Sequence, residues 1–181
     1  LAVSLNLVNG FTGQFSMGHA GFMSVGAYVA AFLSSTFRAS YPDLFTIPII
    51  ETLVFLLSLL TGGLAASLVG YLVGLPSLRL KGDYLAIVTL GFGEIIRVII
   101  LNMPSIGGAR GMPNIPALSS FGMVYSGVVI TVFCVWRLVR SARGRSLLAV
   151  REDEIAAEAM GVNTTNAKVT AFVFGAFFAG I

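Results

Sequence analysis

The sequence predicts an all-α, polytopic transmembrane helix bundle, and three observations carry that prediction. Mean hydropathy is +0.92, with 56% hydrophobic and only 10% charged residues, where a soluble domain carries about 25% charged residues. Apolar stretches of bilayer-crossing length, roughly 17–25 helical residues, recur at 49–74, 84–101 and 123–139. One long charged run, residues 140–168, lies between two apolar segments. Such a chain has too little polar surface to cover a water-facing globule. It reads as a single transmembrane domain over 1–181 in contact with membrane lipid. It also reads as truncated at both ends, because it opens at Leu1 rather than Met and stops 13 apolar residues into the stretch 169–181.

In chain order, residues 1–9 read as the end of an earlier span. Gly10, Gly13 and Gly18, with Thr12, Gln14 and Ser16 between them, then interrupt the apolar pattern. Irregular backbone at membrane depth survives only where protein or a water-filled cavity satisfies it. Two readings therefore stand for residues 10–18: a cytoplasmic turn, or a broken helix beside a transport path. Residues 19–35 resume as a helix, with Ala20, Ser24, Ala27 and Ala31 on one small-residue face suited to close packing in lipid. His19, the only histidine, is either a pore or proton-relay group beside Gly18 or a hydrogen-bonded residue at a helix start.

Residues 38–48 form a short polar link. The span 49–74 carries a second small-residue stripe, Gly62, Ala66, Gly70 and Gly74, recurring every four residues. Two such faces imply a tight bundle. A link at 75–83 holds Arg79, Lys81 and Asp83. The span 84–101 contains Glu94 and Arg97 at i, i+3, where they can pair. In-span charges are costly and usually face a bundle interior or an aqueous cavity, so a place in a translocation path and a structural ion pair both remain open. Residues 102–122 are a loop rich in Gly and Pro. Its Gly107-Gly108-Ala109-Arg110-Gly111 follows no strand and lacks the phosphate-loop pattern, so a nucleotide site is rejected.

The charged run orients the whole. It holds five basic residues, against one in 102–122, two in 75–83 and one in 38–48. Short loops rich in Lys and Arg stay on the cytoplasmic side, so alternation puts 140–168 and 75–83 inside and the other two outside. A re-entrant 84–101 would invert the upstream part. The net charge of +3 draws on the arginines that open this run, so it reports topology and lipid contact, not nucleic-acid binding. One histidine and one cysteine, Cys134, exclude a disulfide, a cysteine metal site and a catalytic constellation.

Within the run, Arg140, Arg143, Arg145 and Arg151 precede Glu152, Asp153, Glu154 and Glu158. Leu147, Leu148 and Val150, then Ile155, Ala156, Ala159 and Met160, give one or two short helices with an apolar face. Gly161 supplies the stop, as a residue suited to the left-handed helix end. Two occupants suit that face: a groove on a partner protein, or the lipid interface. The acids beside it count against lipid, since anionic headgroups repel them.

Three stretches carry a family resemblance: Ser16-Met17-Gly18-His19-Ala20-Gly21-Phe22, then Gly82 through Ile95, then Arg151 through Gly161. Their sequences and order resemble the branched-chain amino-acid ABC transporter permeases, most closely the M-type subunit. The resemblance implies an ABC importer permease fold, without cofactor or metal on this chain, in the bacterial cytoplasmic (inner) membrane. It implies as partners a second permease subunit, two cytosolic ATP-binding subunits and a periplasmic solute-binding protein. ABC importers dock their ATPase on a Glu-Ala-Ala-x-x-x-Gly loop. Ala156, Ala157 and Gly161 fit it, but Ile155 stands where the glutamate belongs and the later Ile-x-Leu-Pro is missing. The docking surface expected from the resemblance comprises Arg151, Glu152, Asp153, Glu154, Ala156, Ala157, Glu158 and Gly161. The function expected is uptake of branched-chain or other hydrophobic amino acids driven by ATP hydrolysed on partner chains, so the chain is not itself an enzyme. Competing readings are a urea or short-chain amide permease, an ion-coupled secondary transporter using His19, Glu94 and Arg97, and a membrane scaffold.

Overall fold

A computed structural model describes residues 1–42, 48–78, 83–113, 115–116 and 118–181. Arg79, Lys81 and Gly82, on which part of the topology and of the second motif rests, lie outside the described residues, as does the acid of the 38–48 link, Asp43. Among the described residues the regular structure is all helical, with no strand. The helices are α1 (Ala2–Phe11), whose last turn, Leu7–Phe11, is π-helical, α2 (His19–Ser40), α3 (Pro48–Ser77), α4 (Asp83–Leu101), α5 (Phe121–Arg140), α6 (Ala142–Glu152), α7 (Glu154–Ala159) and α8 (Thr164–Gly180). Four of them, α2 to α5, are long and apolar enough to cross a membrane.

The centre of the bundle is the trio α2, α3 and α8. In lipid, helices gain little from hiding apolar surface and associate through close van der Waals packing, which small residues permit. Gly62, Ala66, Gly70 and Gly74 are all buried and line the contacts of α3. A methyl at Gly62 would lie 2.7 Å from the Gly26 carbonyl oxygen on α2, and one at Gly70 would lie 2.5 Å from Cβ of Ala176 on α8. One at Gly74 would meet the Phe172 ring at 3.1 Å. Ala66 faces Gly180, and Gly180 in turn faces Gly26. Phe172 and Phe22 fill the space between these backbones, edge to face at 5.4 Å and 87°, a favoured aromatic geometry.

The stripe expected on α2 is not the one used. Ala20 and Ala27 are exposed, and Ser24 is half-buried and donates to the Gly21 carbonyl. The close approach runs through Gly26 and Ala30 instead. The helix has small residues on two faces, and the bulky Phe22 decides which turns inward. In the same way, the stretch 169–181 is part of a longer helix that begins at Thr164 and is capped by Asn163, whose side chain accepts from the Asn166 amide. Lys168 therefore belongs to α8 and not to the loop.

Helix α4 packs along α2, while α5 meets α1 and α6 and buries little beyond Val135. At the end of α5 the Arg140 guanidinium stacks 4.3 Å over the Trp136 ring. That pairing of a cation with an amphipathic aromatic suits the membrane–water boundary.

Candidate docking helix and the broken helix beside it

Helix α7 has six residues, too few to be stable alone, and it is capped at both ends. Asp153 caps it, its Oδ1 accepting from the amides of Ile155 (2.9 Å) and Ala156 (3.1 Å). Gly161 closes it at φ +82. The Gly161 amide donates to Glu158 O at 2.9 Å and the Val162 amide to Ala157 O at 3.0 Å. That is the paired bonding of a Schellman stop, which needs a left-handed residue at this position.

Two further contacts moor α7 to α8. Lys168 Nζ donates to Glu154 Oε1 at 2.7 Å, with 7% of the lysine side chain and 27% of the glutamate exposed. Thr164 Oγ1 donates to Glu158 Oε1 at 2.6 Å. Asp153, Glu154 and Glu158, expected on the docking surface, each bond within the chain through one oxygen, while Asp153 and Glu158 stay exposed. Ala157, expected there as well, is buried, because this face of the helix lies toward α6 and α8. What α7 leaves outside is Ile155 (75% exposed), Met160 (85% exposed), Ala156 and Ala159. At i, i+1, i+4 and i+5 these four form one apolar face. Sequence reasoning recognised their apolarity but left Ile155, Ala159 and Met160 out of the docking set. Their position beside acids was the available signal.

Arg151 turns the other way. Its Nη1 donates to the Gly10 carbonyl at 3.2 Å, and Nε and Nη2 hold Glu152 Oε1 at 3.1 and 2.5 Å. Its Cγ occupies the space where a Cβ on Gly13 would stand, 2.9 Å away. Gly13 has φ +67, a region that L side chains disfavour. Arg151 therefore grips the interruption between α1 and α2, a contact spanning 141 positions of sequence.

That interruption is a broken helix. After the π-turn of α1, Thr12 Oγ1 donates back to Val8 O, and the Ser16 amide donates to Asn9 Oδ1 at 3.2 Å. Residues 13–17 then run without regular structure, and burial alternates along them. Gln14 and Ser16 point inward, whereas Phe15 and Met17 are 57% and 51% exposed. The Met17 amide donates to Thr89 Oγ1 of α4 at 3.1 Å, and Gly18 fits against the Thr89 backbone, leaving no room for a Cβ. His19 opens α2 and is buried beside Ser4, Gly175 and the Phe22 ring, 5.8 Å away. Gln14 Oε1, Ser16 Oγ and both His19 ring nitrogens are buried with no hydrogen bond of good geometry.

Glu94 and Arg97 pair with each other at 3.2 Å on the outward side of α4, with 58% and 68% of their side chains exposed. His19 is enclosed and they are not, so the three do not form one constellation. Among the described residues, no cluster of three His, Cys, Asp or Glu could hold a metal. Between α2 and α4 an open apolar groove of about 580 Å³ is lined by Val25, Tyr28, Val29, Ile96 and Ile99, among others.

Comparison with known proteins places this geometry. The family model for the branched-chain amino acid transport system permease component matches residues 1–181. The chain is similar to the high-affinity branched-chain amino acid transport system permease proteins LivM of Salmonella typhimurium and of Escherichia coli. It is 36% identical to each, over 99% of this chain and 47% of the relative. It thus spans about half the length of the curated relatives it matches. No solved structure matches it. The match runs along the full length of an all-helical chain with four helices fit to cross a membrane: the chain belongs to the branched-chain amino acid transport permease family.

Proposed function

We propose that this chain forms part of the permease of an ATP-driven importer for branched-chain or related hydrophobic amino acids. It lies in a bacterial cytoplasmic membrane with α6 and α7 on the cytoplasmic side. A second permease subunit and a periplasmic solute-binding protein complete the path, and two cytosolic ATP-binding subunits hydrolyse ATP. The observation that carries the reading is α7: a short helix moored from behind by Glu154, Glu158 and Asp153, with Ile155, Ala156, Ala159 and Met160 turned out. Exposed apolar side chains on so short a helix suit a groove on another protein. The similarity to permeases named for branched-chain amino acid transport supports the substrate class. The outward Glu94–Arg97 pair fits a face covered by protein or water, since lipid contact is costly for in-span charges.

The test is the paired substitution Ile155→Glu, Met160→Glu. It puts charge into the docking face without touching the mooring residues. The permease should remain in the membrane, while the ATPase no longer co-purifies and leucine uptake stops. Normal uptake by this variant, or uptake abolished by collapsing the ion gradient at constant ATP, would refute the importer reading. Uptake of urea in place of leucine would reassign the substrate.

A further inference from the structure

Buried polar side chains are bonded almost without exception, and more strictly so at membrane depth. The break between α1 and α2 departs from that rule at Gln14 Oε1, Ser16 Oγ and both His19 nitrogens. Atoms of this chain already enclose all four, so no other subunit or segment reaches them while this arrangement holds. The His19 ring has the Ser4 and Gly175 backbone close by, short of good bonding geometry, whereas Gln14 Oε1 and Ser16 Oγ gain partners only when the break opens. The alternation along residues 13–17 gives the direction: the polar residues face in and Phe15 and Met17 face out. The first turn of α2 adds backbone amides with no side-chain cap, and the helix dipole makes that end favourable to negative charge.

We infer that this break is a closed gate of the translocation path, which on opening binds the charged head of a zwitterionic amino acid, and that Arg151 is its latch. The assignment rests on the importer reading above. The chemistry matches a zwitterion better than a simple anion. The α2 amides, Ser16 Oγ–H and a His19 N–H can donate to a carboxylate, while Gln14 Oε1 can accept from an ammonium. The hinge is Gly13, where the chain takes a left-handed turn against Arg151. Arg151 ties that hinge to the end of α6, two residues before the Asp153 cap of α7. A pull on α7 by an ATPase would therefore reach the Gly10 carbonyl through one guanidinium. Thr89 holds the far side of the break to α4.

The experiment uses the protein assembled in its membrane, with Ser16→Cys introduced in a Cys134→Ser background and labelled by a small water-soluble thiol reagent. Labelling should be slow at rest and rise by roughly tenfold, a usual size for coupling between sites, when the ATPase is trapped with nucleotide. Arg151→Ala should raise it similarly without nucleotide. L-leucine should slow labelling in the open state, whereas 3-methylbutylamine, which has the same apolar skeleton but no carboxylate, should not. A Ser16→Cys that stays unlabelled, or labels alike in every condition, overturns the gate. Opening with no selective protection by leucine overturns the assignment of the charged head. If nucleotide has no effect because no ATPase assembles, the importer reading fails. The Arg151→Ala arm still decides the gate, because it needs no ATPase.

Discussion

Lys168 on α8 and Glu154 on α7 form a nearly enclosed ion pair at 2.7 Å. It fixes α7 to a helix at the centre of the bundle. Taking charges out of water is costly unless they are paired, and removing one partner leaves the other uncompensated.

Glu154→Ala should therefore strand Lys168 and destabilise the α7–α8 junction by about 3 kcal/mol. Limited proteolysis at residues 141–163 in detergent would show it as faster cleavage. The double variant Glu154→Leu, Lys168→Met should recover much of that loss, since apolar pairs of similar size often replace buried ion pairs without cost. A double variant as labile as the single would show that the mooring acts by charge alone.

Asp153→Ala removes the cap and should cost about 1 kcal/mol of local helix stability. Hydrogen exchange at the Ile155 and Ala156 amides should accelerate, because these donate to Asp153 Oδ1. Asp153→Asn keeps an acceptor oxygen and should exchange nearly as slowly as the parent.

Ala156→Arg and Ala157→Arg, one residue apart, should fail differently. The side chain at 156 is exposed, so its variant should remain in the membrane and lose only ATPase co-purification. The side chain at 157 is buried, so an arginine there must displace α7 or bury its charge. Expression and thermal stability should fall before docking can be assayed. Equal behaviour of the two would contradict the orientation of α7.

Gly70→Leu sets a branched side chain where a methyl already lies 2.5 Å from Ala176. Overpacking of that kind costs roughly 1–3 kcal/mol, read as a lower melting temperature in detergent. Gly91→Ala on α4 meets nothing within 4 Å and should be neutral, or stabilising by up to about 1 kcal/mol through helix propensity. Matching losses at both sites would mean that the α3–α8 contact is not close-packed.

Composition and local period made much of the chain legible. Hydropathy alone implies a membrane bundle, because too few polar residues exist to face water. The stop at Gly161 could be read because a left-handed helix end is a local backbone demand. The small-residue stripe on α3 could be read as a stripe because four-residue spacing is also local, but its partners on α2 and α8 could not. The tertiary structure decided what depends on contacts far apart in sequence. It turned Gly26 and Ala30 inward on α2 in place of Ala20 and Ala27, because a helix apolar all round carries no signal of its buried side. It buried Ala157 and gave Glu154 and Glu158 partners on α8 and Asp153 the cap of α7, because acids look alike in sequence until their partners are placed. It carried Arg151 away from the apolar face of α7 to Gly10 and Gly13. No periodicity encodes that reach; only the packing of α6 beside the broken end of α1 creates it.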